Sequence, residues 1–211
     1  MSSDQTPRIP FYNPETAPQN VRDVMKLFPV ERNLAKLLAN SRVFFEPVMK
    51  NISASWSPDR TIRSSEWQVA VLRTSALFDC PYEWQVNEPV ARLFGFDSDV
   101  MLLALRSGDL SDPDSFTDRH RLVARMVHEL FHSRMLTAET TAEALGVFGT
   151  EGVTEIINIH GVYGQFALLL KTANIHSDPP IPNLIESLTK FNAAAIEKEK
   201  QQREDDLKLK N

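Results

Sequence analysis

Residues 66–87, EWQVAVLRTSALFDCPYEWQVN, decide the fold. They read as a helix, a short turn and a second helix carrying Cys80, Glu83 and Asn87. Those three stand at i, i+3 and i+7 and so share one helix face. A thiol, a carboxylate and an amide converging below an apolar first helix form a candidate small active site. Ser64 or Ser65 is expected to cap the first helix, Glu66–Phe78, with Glu66 favourably placed in its first turn. Pro81 stands near the start of the second helix, where its missing N–H does no harm. Pro89 is expected to kink that helix or divide it before it ends near Phe94–Gly95.

Outward from this core, helical periodicity continues almost without interruption. VRDVMKLF gives a short helix, and ERNLAKLLANSRVFFEPVMKNI gives one or two more. Ser55–Ser64 is polar and reads as a loop. Asp97 or Ser98 opens VMLLALRSG, and SGDLSDPDSFTD is rich in turn formers. Arg119–Met135 is strongly amphipathic, Thr137 caps Thr137–Leu145, and Thr150–Asn174 is the longest apolar helical pattern. Gly161 and Gly164 within it are read as sites of close helix packing. No alternating strand pattern competes, so the class is all-α. Residues 1–20 form a proline-containing arm, 21–195 a helical domain, and 196–211 a charged tail read as a solvated, fraying helix end.

The 211 residues suffice for one domain with a sizeable core. The net charge of -5 is mild and no basic patch is concentrated, which argues against a nucleic-acid surface. The single cysteine precludes an internal disulfide and suits a reducing compartment. No apolar leader and no membrane-length apolar run is present, so a cytoplasmic protein is expected. No glycine-rich phosphate loop occurs, and no cofactor is expected.

Several segments together resemble the carboxymuconolactone decarboxylase family, within the wider alkylhydroperoxidase-D-like group. PRIPFYNPETAPQNVRDVM resembles that family's proline-bearing arm and first helix. NLAKLLANSRVFFEPVMKN resembles the following helix pair, and SSEWQVAVLRTSALFDCPYEWQVN the core segment. DRHRLVARMVHELFHSRMLTAETTAEAL and EIINIHGVYGQFALLLKTANI resemble the later helices. The likeness covers residues 7–180 and rests on the order and spacing of the pieces. It implies an alkylhydroperoxidase-D-like helical bundle that self-associates as a trimer or hexamer. The peroxidase branch carries Cys-x-x-Cys with a His four residues on; here those positions are Cys80, Glu83 and Asn87. Without the second thiol an internal dithiol–disulfide cycle cannot run. The decarboxylase-like branch keeps Tyr-Glu-Trp and a later His. Here Tyr82, Glu83 and Trp84 are present and Asn87 replaces the His. Asparagine can hold a carbonyl or hydroxyl but moves no proton at neutral pH.

Glu83 is therefore the first catalytic candidate, a carboxylate whose pKa burial would raise. Glu66, His128 and His160 are candidates to assist it. Cys80, Tyr82, Trp84, Asn87, Arg73 and Tyr163 are candidates for substrate binding: Arg73 for a carboxylate, Asn87 and Tyr163 for a developing oxyanion. Cys80 lies at a helix N-terminus, where a thiol pKa falls. Residues 128–132, HELFH, match the zinc-protease pattern. A third ligand would have to come from Glu143, Glu151, Glu155 or His160, none in a telling motif, so no metal is expected. The resemblance implies a cofactor-independent lyase or isomerase acting by acid–base chemistry on a small unsaturated carbonyl, lactone or polyketide-type substrate. The alternatives are a thiol-dependent peroxidase using Cys80 and a non-catalytic oligomeric binding protein.

Overall fold

The computed structural model describes residues 6–13 and 15–210. Residues 1–5 and 14 of the expected arm, and residue 211 of the expected tail, lie outside the described residues. Ten helices and no strand are found among the described residues, as the unbroken helical periodicity led us to expect. None of the helices is long and apolar enough to cross a membrane.

The central element is α4 (Ser64–Leu77), against which α5 (Pro81–Leu93), α6 (Asp99–Ser107), α7 (Asp118–Ser133), α8 (Ala138–Ala173) and α10 (Ala193–Lys210) all pack. Every α4 residue from Ser64 to Ser75 is buried. Its polar side chains are consequently turned inward. Thr74 and Ser75 donate to the carbonyls of Ala70 and Val71, four residues back. Gln68 is fully enclosed with neither amide atom hydrogen-bonded.

The start of α4 differs from expectation. Arg63, not a serine, is its N-cap, and the Glu66 carboxylate reaches back to accept from the Arg63 backbone N–H at 2.9 Å. Asp79, at φ 49°, turns the chain from α4 into α5. Pro81 opens α5, but Pro89 does not divide it: the helix runs on to Leu93. Pro89 lies in the penultimate turn, so only a short stretch of helix beyond it depends on the lost N–H.

The two helices expected over 137–174 follow one another without a loop and meet at a kink at Gly149, whose φ 67°, ψ 179° is a conformation essentially confined to glycine. Glycine packing is seen at one of the two expected positions. A Cβ at Gly164 would lie 3.0 Å from the Phe78 ring, whereas Gly161 meets nothing within 4 Å.

α1 (Gln19–Met25), α2 (Asn33–Leu38) and α3 (Phe45–Ser55) close one side of the bundle, and α9 (Leu184–Phe191) packs on α5. The arm lies on its own chain. Arg8 N donates to Ala173 O at 2.8 Å, and Tyr12 N to Lys36 O at 3.0 Å. The charged C-terminal stretch is not wholly solvated, contrary to the reading from its charge run. Glu199 is buried and accepts from the Ser65 N–H at the start of α4, while Lys198 donates to the carbonyls of Pro58 and Arg60.

Candidate active site

A cavity of about 80 Å³ opens between α5, α8 and the α1–α3 region. That volume accommodates several waters or a small organic group. Its wall is mainly apolar, with Phe28, Met49, Ile52, Trp56, Val86 and Phe166 among the lining side chains. Into it face Tyr82, Glu83, Asn87 and Tyr163. Glu83 and Asn87 arrive one above the other because they are four residues apart on α5. Tyr163 comes from the second half of α8, beyond the Gly149 break.

Glu83 is 2% exposed, and neither carboxylate oxygen has a hydrogen-bond partner among the described residues. Burial alone raises its pKa well above the ordinary carboxylate range. The group therefore holds a proton to higher pH than a surface glutamate does. Burial, followed by the charge of Glu83, also raises Tyr163, so the two groups lie within electrostatic reach. The Asn87 amide donates from Nδ2 to Glu83 O at 2.8 Å, which leaves Oδ1 buried and unpartnered. That orientation changes the role expected of Asn87. Its free atom is an acceptor, suited to a substrate hydroxyl and not to an oxyanion. The Tyr163 hydroxyl is the donor available for a carbonyl oxygen.

The mouth is held by a polar latch. Tyr82 Oη donates to Asp178 at 2.8 Å and accepts from Leu34 N at 3.1 Å. Asp178 also accepts from Asn33 N at 2.7 Å and pairs with Arg32 at 3.0 Å. Arg32 lines the cavity, but Asp178 engages its charge.

The remaining sequence candidates lie elsewhere. Glu66 caps α4 and forms a two-pronged ion pair with Arg119. Arg73 donates to Leu105 O and Arg106 O at the end of α6. Trp84 turns towards α6, with its indole N–H on Glu88 and the Arg106 guanidinium over its ring. His160 bonds Thr74 Oγ1 at 3.0 Å. Because the Thr74 hydroxyl already donates to Ala70 O, the His160 Nδ1 carries the proton in this bond. His160 thus faces α4, although Tyr163, three residues on, faces the cavity.

Cys80 is the N-cap of α5 and is 3% exposed, outside the cavity lining. Its thiol is pushed up to about 11 by burial first and by Glu83 second, the reverse of the lowering expected at a helix start. Desolvation there outweighs the helix dipole.

In HELFH, His128 is exposed and its ring lies 4.3 Å from that of His132. Glu129, between them, instead caps α8 by accepting from Thr137 N and Thr140 Oγ1. Glu155 accepts from Thr61 N and Ile62 N. Among the described residues no group of three His, Cys, Asp or Glu is placed to hold a metal ion.

Sequence reasoning missed the wall supplied by residues 25–35, Trp56 and Phe166. Phe28-Pro29-Val30, an apolar run in a non-helical connection, was the signal that this loop covers a cavity. Comparison of the chain with protein-family models, curated proteins and solved structures returns no match.

Proposed function

We propose that this chain is a cofactor-independent lyase or isomerase that moves a proton beside the carbonyl of a small, largely apolar substrate. The observation that carries the reading is the Glu83 carboxyl, enclosed and without a protein partner at the wall of an apolar cavity. A carboxylate that is costly to ionise is a stronger base once ionised and a ready acid when protonated. In a double-bond migration, ionised Glu83 takes a proton from the carbon next to the carbonyl, giving an enolate. Tyr163 donates a hydrogen bond to the enolate oxygen, and Glu83 returns the proton to the far carbon. The apolar wall strengthens both interactions by excluding water.

The lining also narrows the substrate. With Arg32 held by Asp178, no unpaired cation is found among the described lining residues, so a substrate carboxylate would lose its water there without a counter-charge. Uncharged ketones and lactones are therefore favoured, and isomerisation, dehydration or cyclisation is favoured over decarboxylation. The resemblance to the carboxymuconolactone decarboxylase family, with its alkylhydroperoxidase-D-like bundle, self-association and cytoplasmic setting, belongs to the same proposal. The thiol alternative has less support, because Cys80 is buried, raised in pKa and outside the cavity lining.

The test is incubation of uncharged unsaturated cyclic ketones and lactones with the protein in deuterated water, read by mass spectrometry. Deuterium uptake or isomerisation that is lost in Glu83→Gln and kept in Cys80→Ser supports the proposal. Turnover that survives Glu83→Gln contradicts it. Ligand retention without turnover would favour the binding-protein alternative.

A further inference from the structure

A second site lies away from the Glu83 cavity and shares no lining residue with it. It is a cleft of about 410 Å³ between the end of α6 and the outer face of α7, lined by Arg73, Gly108, Ser111, Arg121, Arg125 and His128. Arg73 is 5% exposed, yet among the described residues no carboxylate lies within ion-pair distance of it. Its pKa is lowered by burial, with no opposing charge nearby to restore it. An enclosed guanidinium without a counter-charge is costly.

The end of α6 meets part of that cost. Arg73 Nη1 donates to Leu105 O at 2.7 Å and Arg106 O at 2.9 Å, carbonyls at the negative pole of the helix. Nε is buried without a hydrogen bond, and among the described residues none is found for Nη2 either, both bonds to α6 using Nη1. Gly108 keeps this edge of the guanidinium clear, since a Cβ there would stand 2.7 Å from Nη2. Arg121 and Arg125 add charge at the rim. Arg125 pairs with Glu143 at the exposed surface, where a pair is readily shared, while Arg121 is half-buried and held by Asp118 and the Phe116 carbonyl.

We infer that this cleft binds a small oxyanion, a phosphate or a carboxylate, on Arg73 Nη2, with Arg125 turning to it from the rim and the fixed charge of Arg121 beside it. The remaining guanidinium N–H offers the oxyanion a charge-assisted hydrogen bond.

The experiment is isothermal titration calorimetry of the full chain with sodium phosphate and, separately, sodium acetate, against sodium chloride at equal ionic strength. Saturable binding of phosphate or acetate is expected, and the tighter of the two identifies the chemistry. Ser111→Glu puts a carboxylate at an exposed position of the cleft without touching the core, and should weaken binding about tenfold or more. Arg73→Lys keeps the charge but cannot both bond the α6 carbonyls and present a second planar N–H to the cleft, and should weaken it similarly. No response beyond that of chloride, or equal affinity in wild type and Ser111→Glu, would overturn the inference.

Discussion

Replacing Glu83 with Gln should change the pH dependence of stability in a direction fixed by burial. The carboxyl and the amide are nearly isosteric and both are neutral when the acid is protonated. At pH 4.5 and below, the two proteins should therefore differ by only about 1 kcal/mol. Above that, the unfolded chain releases the Glu83 proton near the ordinary value of 4.5, while the folded protein retains it. The folded state then binds more protons than the unfolded state, so wild-type stability falls with rising pH. The fall is about 1.4 kcal/mol per pH unit and continues until the folded group itself titrates. Two pH units within this window amount to about 2.8 kcal/mol, or roughly a hundredfold in the unfolding constant. Urea unfolding of both proteins between pH 4.5 and 8, followed by circular dichroism, gives the difference directly, because all other titrating groups cancel. Glu83→Gln should gain steadily on wild type. A difference that stays constant from pH 5 to 7 would refute the claim that burial keeps this carboxyl protonated.

His120 should act in the opposite sense. It is buried, bonded to Ser65 and surrounded by arginines, and burial followed by those charges lowers it to about 3 from 6.5. Stability it contributes is full above pH 6.5 and is lost as pH falls towards 3, so His120→Asn should flatten acid unfolding measured by fluorescence. Between pH 4.5 and 6.5 the Glu83 and His120 slopes should nearly offset each other. Tyr82→Phe removes the latch hydroxyl and leaves the Leu34 N–H without it. A loss of about 1–3 kcal/mol is expected in urea unfolding, with faster hydrogen exchange at Asn33 and Leu34. Gly149→Ala forces a Cβ into a glycine-only backbone region and should cost about 1–3 kcal/mol by the same unfolding measurement.

The helices were legible because their apolar spacing is regular, and Ser98 and Thr137 cap α6 and α8 as such residues should. Less legible was what long-range packing decides. Nothing local in the Lys198–Arg203 charge run shows that Glu199 will cap α4 or that Lys198 will meet loop carbonyls. Pro89 is a helix breaker in isolation, but near the end of α5 it is carried by tertiary contacts. At the site, spacing placed Glu83 and Asn87 on one face, and Tyr82 and Tyr163 join them at the cavity. The same spacing could not separate them from Cys80, which turns into the core one turn earlier. Glu66, Arg73 and His160 are polar residues of the chemically expected kinds, yet their hydrogen bonds close on neighbouring helices. A sequence lists donors and acceptors without saying which of them find partners. At the cavity the informative difference is that, among the described residues, neither oxygen of Glu83 finds one.

The central claim is that Glu83 carries its proton inside the cavity far above the pH at which a surface carboxyl would lose it. Carbon-13 NMR of protein labelled at the glutamate carboxyl, with the Glu83 signal assigned by its absence in Glu83→Gln, measures this directly. The expected result is a protonated carboxyl shift that persists after the surface glutamates have ionised and titrates well above the ordinary range. A Glu83 signal that moves to the ionised shift near pH 4.5, together with the surface glutamates, would contradict it.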